Sequence, residues 1–484
     1  MIMDLEYGVP PRTFHCKTEP MEHQLDALKR FIDEPYGGLL CEMGTGKTKI
    51  VLDIIGNSPE KGCLMAAPNG LHLNWDAIEI PKHFVQESSV YCWRGKPTTI
   101  RAKAEWAQFM QDDSGRFKFF LINIEAIRTD AGFSHAHEFL ESMESSHFVI
   151  DESTCIKNPK AQQTKAALKL AKMCGRKWIL NGTPITQGPL DVFSQCKFLN
   201  KDALPYSTFT AFKAMFAVEH LVQLQNRSFR QISGYKNLDR LKEELAPFSL
   251  RLLKEDCMDL PEKVFTAHVV EMTKEQKRIY AQIKDLCMAQ LNDGTIASTT
   301  IALTKITKLH QVLTGFVTND EGEEVEVPSN RISSLLQIAE SASPLVVFCA
   351  YRNNVDQVAK ALRDKYGPDS VVEYHGGTSK EGRTNAVQAF QEGTANFFIG
   401  TSAAAKGITL HRANTTVYFS NNRSLETRLQ SQDRIHRFGQ ERKCTYIDLV
   451  VPDTLDDVII QSLLAKKDLA DMVLTDLNKI IENA

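Results

Sequence analysis

No apolar run in this chain approaches the roughly 18 residues that a membrane-spanning helix needs, which argues against a membrane protein. The first ten residues, MIMDLEYGVP, carry neither a basic cluster nor an apolar core, so no secretory leader is legible. Eleven cysteines occur singly, without a CxxC pair or metal-ligand spacing. That pattern reads as reduced thiols in a cytoplasmic compartment and argues against structural zinc. Charge of one sign is missing too. The net charge is −3 over 484 residues, so any nucleic-acid contact must come from a local basic strip and backbone amides. Low-complexity tracts, long linkers and helical repeats are absent from the sequence.

What is present is one rhythm, used twice. Short apolar runs alternate with helical segments, first at 63–68, 119–124, 147–152 and 177–183, then at 344–350, 371–376, 396–401, 415–420 and 445–451. Near-continuous apolar strands separated by helices predict parallel sheets covered on both faces, hence an α/β chain of two lobes. The expected boundaries are 1–257 for the first lobe and 258–484 for the second. Residues from about 200 to 315 lack the rhythm and read mainly as helices. They form an insertion in the first lobe and a helical lead into the second. FVTNDEGEEVEV (316–327) reads as a small surface hairpin around an acidic turn, and the tail from Thr454 as an amphipathic helix packed on the second lobe.

CEMGTGKT (41–48) follows the apolar run GGLL and precedes the helical stretch KIVLDIIG, the strand–loop–helix setting of a phosphate-binding loop. Gly44 and Gly46 let the loop, with Met43 and Thr45, turn its N–H groups toward phosphate oxygens. Lys47 supplies a charge for the β- and γ-phosphates, Thr48 a hydroxyl for magnesium, and the following helix its N-terminal dipole. FVIDEST (148–154) ends an apolar strand in two carboxylates. Asp151 suits contact with magnesium and Glu152 suits polarising an attacking water. Arg434 and Arg437 lie three apart in QSQDRIHRFGQ (430–440). Taken alone they read as an exposed basic stripe. Across a two-lobed cleft, such arginines stabilise charge on the transferring phosphoryl group, worth roughly 10³–10⁵ in rate.

The ordered set resembles a superfamily-two helicase-like ATPase of the SWI/SNF type. MEHQLDALKRF is similar to the nucleotide-recognition Q motif, CEMGTGKT to motif I, MAAPNGLHLNW to motif Ia, and DESTCIKNPKAQQTKAA to motif II with its following block. LNGTPITQGPLDVFS resembles motif III, and LAPFSLRLLKEDCMDLPEK the passage between lobes. VVFCAYRNN, TSAAAKGITLHRANTTVYF and QSQDRIHRFGQ resemble motifs IV, V and VI. The resemblance implies two RecA-like lobes closing on ATP and Mg²⁺, and movement along DNA. It places Gln24 on adenine and adds Gln430 to the nucleotide site. It puts Pro68, Asn69 and Thr183 of the first lobe, and Arg352, Thr401 and Lys406 of the second, along the DNA track. The short form is similar to bacterial and prophage members, implying a cytoplasmic setting in a bacterium or an infected host.

Two departures stand out. Motif II reads DEST rather than DEAH, losing the histidine that couples to motif III, and motif V carries Ala404 and Ala405 where glycines are usual. Three activities stay open on the sequence. One is a monomeric motor on duplex, forked or branched DNA, one an ATP-switched DNA clamp, and one the motor subunit of a larger DNA defence or modification assembly with a protein partner. The 316–327 segment is a candidate strand-separating wedge or ordinary surface structure. Trp75 and Trp93 either stack on bases or pack against the first sheet.

Overall fold

The computed structural model describes residues 13–224, 227–292, 299–405 and 407–474. Strands β1 (Tyr36–Leu39), β2 (Gly62–Ala67), β3 (Ser88–Cys92), β4 (Phe117–Asn123), β5 (Ser146–Asp151) and β6 (Arg176–Leu180) arise as the apolar rhythm requires. In β2 and β5 every residue is buried. Alternate side chains feed two separate cores: Leu64 and Ala66 pack on one face of the sheet, and Cys63, Met65 and Ala67 on the other.

The chain then forms a long hairpin, β7 (Ala217–Leu224) and β8 (Arg227–Tyr235), and β9 (Ser249–Leu250). The second lobe begins with β10 (Lys263–Val269). Next come the small hairpin β11 (Phe316–Thr318) and β12 (Glu324–Glu326), then β13 (Leu345–Phe348), β14 (Val371–Tyr374), β15 (Phe397–Gly400), β16 (Thr415–Tyr418) and β17 (Cys444–Val450). The first sheet runs β3-β4-β2-β5-β6-β1-β9 and the second β10-β17-β16-β13-β15-β14. All pairings within both sheets are parallel. These are the two RecA-like lobes. Because every strand points the same way, each sheet gathers its C-terminal loops on one rim, where ligands of such sheets bind. The chain leaves the first sheet after Leu250 and enters the second at Lys263.

The 316–327 segment is a hairpin, Phe316 opposite Glu326 and Thr318 opposite Glu324. The segment from about 200 to 315 departs from the helical expectation, since Ala217–Tyr235 is an antiparallel ribbon. Both of its faces are largely exposed, so it carries no alternation of buried and solvated positions to signal a strand. The C-terminal helix, Leu455–Leu474, does pack on the second lobe, through Ile459 and Leu463 against Leu425. Buried Arg331 fixes its start, bonding Asp456 and the carbonyls of Leu313 and Phe419. The remainder of the tail, 475–484, lies outside the described residues. No helix among the described residues is long and apolar enough to cross a membrane.

On the rim opposite the loops, Glu60 ties the first sheet together. It receives Arg176 Nε at 3.0 Å and faces His147 Nε2 at 3.4 Å. Trp178 Nε1 donates to His147 Nδ1 at 3.0 Å, which turns the Nε2 proton toward Glu60. Burial alone would raise the Glu60 carboxyl, but His147 and Arg176 outweigh it and hold it at about 2, against an ordinary 4.5. A depressed carboxylate contributes stability above its ordinary pKa and loses it as pH falls through the folded one. The lead in Tm of the wild type over Glu60→Gln is therefore expected to be full above pH 4.5 and to shrink toward pH 2, read by thermal melts across pH. A lead that does not depend on pH would remove Glu60 from this role.

Candidate functional site

The phosphate loop leaves β1 and ends at the helix Lys47–Gly56. Gly44 and Gly46 adopt left-handed φ of 93° and 88°. Gly46 is required twice, since a Cβ there would also meet Gln24 Nε2 at 2.2 Å. Gln24 Nε2 donates to the Thr45 carbonyl at 3.3 Å and its Oε1 accepts from Met21 N at 3.1 Å, so this residue braces the loop from outside. Lys47 Nζ donates to the Glu42 carbonyl at 3.1 Å, and half-buried Thr48 follows in the first helical turn.

Asp151 ends β5 beside this loop. Its Oδ2 accepts from Trp75 Nε1 at 3.0 Å and its Oδ1 from Glu152 N at 3.0 Å. Trp75 is only 1% exposed, and the wide helical turn Trp75–Glu79 aims it at Asp151. Glu152 takes a left-handed φ of 54°, a strained conformation for a non-glycine residue that turns its carboxylate off the strand axis. Burial, with Asp151 adding to it, raises the nearby Glu79 carboxyl, which Lys82 and Arg437 oppose.

The second lobe reaches into the same space. Gln430 Nε2 donates to Glu152 Oε1 at 3.4 Å, and Thr154 Oγ1 to Glu426 Oε2 at 3.3 Å. Arg434 is 1% exposed, bonds the Ile408 carbonyl at 2.7 Å, and lays Nη2 3.5 Å from Met43 Sδ in the phosphate loop. Burial and neighbouring Arg437 lower the Arg434 guanidinium to about 10, so it is still a cation at neutral pH. Arg437 bonds Thr409 Oγ1 at 2.7 Å and faces Glu79 and Asp433. These two arginines are thus no exposed stripe.

Lys254, in the passage between lobes, was not singled out by sequence. Its backbone N–H donates to Glu42 Oε2 at 2.9 Å, and its Nζ to Asp433 Oδ1 at 2.6 Å and the His436 carbonyl at 3.1 Å. One residue thus ties the phosphate loop to the segment bearing both arginines. Burial lowers the Lys254 ammonium, with Asp433 opposing; burial would raise Asp433, yet Lys254 and Lys263 bring it below its ordinary value. Arg251, 5% exposed, joins the carbonyls of Leu40 and Gly182 at 2.7 and 2.8 Å.

The altered motif II keeps its connection to motif III by another route. Ser153 Oγ donates to Gln195 Oε1 at 2.5 Å, and Asn181 Nδ2 donates to Ser153 Oγ at 3.3 Å. Gln195 Nε2 reaches the Pro184 carbonyl at 3.0 Å, while Asn181 Oδ1 accepts from Thr183 N at 2.7 Å. In motif V, Ala404 and Ala405 are fully buried, and a Cβ on Gly400 would lie 2.6 Å from the Ala404 methyl. The alanines therefore fill core rather than line the track.

Pro68 and Asn69 follow β2 and Thr183 follows β6, all on the first rim. Asn69 edges a groove of about 730 Å³ that exposed Arg94, Lys96 and Arg128 also line. Arg352 and Thr401 follow β13 and β15 on the second rim. Lys406 lies outside the described residues. Trp75 and Trp93 are both buried, at 1% and 4% exposure, which removes them as base-stacking platforms.

The profile of the SNF2-related domain matches residues 22–317, and that of the helicase conserved C-terminal domain residues 329–439. The chain is 23% identical over 461 residues to an uncharacterized ATP-dependent helicase of Mycoplasma genitalium, covering 93% of this chain and 41% of that protein. It is 24% identical over 373 residues to a protein of Bacillus subtilis described as an ATP-dependent helicase/translocase, covering 74% of this chain and 39% of that protein. The solved SWI2/SNF2 ATPase core of Sulfolobus solfataricus in complex with dsDNA aligns at 21% identity and TM-score 0.41, covering 97% of this chain and 96% of that one.

Removing one partner of a buried ion pair costs about 3–5 kcal/mol where the other charge stays buried. Lys254→Met is therefore expected to lower kcat for ATP by about two orders of magnitude with a smaller change in KM. Wild-type turnover in steady-state assays of this variant would show that Lys254 does not position the arginines.

Proposed function

We propose, on the premise that this chain belongs to the SNF2-related family of SWI/SNF-type helicase-like ATPases, that it hydrolyses ATP when its lobes close and so moves along DNA. One observation carries this reading: Arg434 of the second lobe touches Met43 of the phosphate loop while Gln430 bonds Glu152. The apparatus for hydrolysis is complete only across the cleft. A single chain supplies both halves, which supports a monomeric motor whose first lobe runs to residue 257 and whose second begins at 258.

The residues present fit nucleotide and metal. Among the described residues, Lys47 is held by a carbonyl of its own loop, Gln430 Oε1 is buried without a hydrogen-bond partner, Arg434 reaches Met43 across the cleft and Arg437 faces Glu79. In this reading Met43 to Thr48 wrap the phosphates, and Lys47, Arg434 and Arg437 meet their charge. Gln24 still has one N–H and one lone pair for an adenine edge. Thr48 and Asp151 would hold Mg²⁺, which supplies charge neutralisation at the phosphates. Trp75 fixes the rotamer of Asp151, and Glu152 orients the attacking water and takes its proton. Pro68, Asn69, Thr183, Arg352 and Thr401 would follow the DNA backbone. Closing and opening move the two rims relative to each other, and phosphate contacts make the grip salt-sensitive and weakly sequence-dependent.

Lys47→Ala is expected to abolish DNA-stimulated ATP turnover. Glu152→Gln should retain nucleotide and DNA binding while turning over about 10³-fold or more slowly. ATPase and triplex-displacement assays on single-strand, duplex, forked and four-way DNA read both the chemistry and the movement. A Lys47→Ala protein with wild-type stimulated turnover would sink the reading, and hydrolysis without displacement on any substrate would reduce it to a clamp.

A further inference from the structure

The hairpin β7–β8 has no place in the chemistry just described. It carries eight paired positions, from Ala217 opposite Tyr235 to Leu224 opposite Arg227, roughly 27 Å of ribbon. A two-stranded ribbon alone in water is marginal at best, and this one has solvent on both faces. Val218, Leu221 and Phe229 are 43%, 57% and 45% exposed. Large apolar side chains held out on an unsupported ribbon point to a surface that is covered when the protein works.

Charge identifies what covers it. Within 217–236 the sole carboxylate is Glu219, and Lys213 engages it. Arg230 and Lys236 are exposed and pair with no carboxylate among the described residues. Arg230 stands opposite Leu221 and Phe229 opposite Val222, so the ribbon presents a cation on one face and an aromatic ring on the other. Phosphates and base or sugar faces are the complement of that pair.

Position agrees with charge. The root of the ribbon sits on the rim of the first sheet, where a Cβ on Gly188 would meet Tyr235 Oη at 2.2 Å. Gly188 belongs to the loop that Asp191 organises by accepting from Thr186 N, Thr186 Oγ1 and Gln187 N at 2.9, 2.9 and 2.8 Å. Gln195, which bonds Ser153, also bonds the Asp191 carbonyl at 2.8 Å. The ribbon therefore stands on the same loop that connects motif III to the acids.

We propose that the β7–β8 hairpin is a nucleic-acid contact of the first lobe, with Arg230 on phosphate and Phe229 on a base or sugar face. This rests on the DNA-motor reading, yet it is measured by binding without ATP, so the two fail separately. Phe229→Ala with Arg230→Ala is compared with wild type by fluorescence anisotropy on a labelled duplex and on a fork with single-stranded arms, from about 50 to 200 mM salt. The expected result is affinity reduced about ten-fold or more, with a salt slope smaller by about one. Loss on both substrates assigns the contact to the duplex, and loss on the fork alone assigns it to single strand. Unchanged affinity and slope on both overturn the proposal. ATP turnover without DNA and Tm report folding, and if the double variant melts early, Arg230→Glu alone reads the same two quantities.

Discussion

The Lys254 ammonium and the Asp433 carboxylate lie 2.6 Å apart, at 4% and 9% residue exposure, and the arrangement of the cleft depends on that pair. Glu42 holds the Lys254 backbone on one side, and on the other Asp433 immediately precedes Arg434. A buried pair recovers little net energy, because desolvating both charges offsets most of their attraction. That suits the opening and closing cleft of the proposed motor. The closed geometry is specific, since either charge left buried alone is costly, but it is no deep trap, since opening rehydrates both. The extra hydrogen bonds to His436 and from Lys263 finish the solvation that closure removes.

The DEST sequence, without the histidine, reaches motif III through side-chain hydrogen bonds. A histidine in that motif would have to span to motif III directly. Here Ser153 is too short to do so and hands the connection to Gln195, whose amide is fixed by the carbonyls of Pro184 and Asp191. All the groups are buried, so each unmade bond would carry its full desolvation penalty. Thr154, the next residue, faces the other lobe instead, at Glu426. Two adjacent short side chains thus divide work between motif III and the far lobe.

What the sequence showed follows from where contrast exists. The phosphate loop is legible because glycine spacing and lysine have one chemical use in a strand–loop–helix setting. The central strands are legible because burial on both faces turns them into unbroken apolar runs. Strands β3 and β10 lie at sheet edges and are partly or mostly exposed, so their runs are interrupted. The β7–β8 ribbon, solvated on both sides, gives no periodic contrast at all. Lys254 and Asp433 stand 179 positions apart, and neither residue type announces a buried partner at that distance. Whether Trp75 stacks on bases or packs on the sheet stays open in the sequence, because its role depends on a wide helical turn that nothing in its neighbours encodes plainly.

A chain of net charge −3 is a poor polycation, so the local placement of its charges matters more than their total. Many charges cancel locally: Arg176 against Glu60, Arg331 against Asp456, Arg428 against Asp448. Those pairs lie within the lobes and add nothing to the outer field. On the first rim exposed Arg94, Lys96 and Arg128 share one groove with Glu125, and exposed Arg352 begins a helix at the second. At physiological ionic strength, fields beyond roughly 8 Å are screened, so a phosphate backbone responds to the charge immediately beneath it and not to the molecular total. The net charge sets solubility.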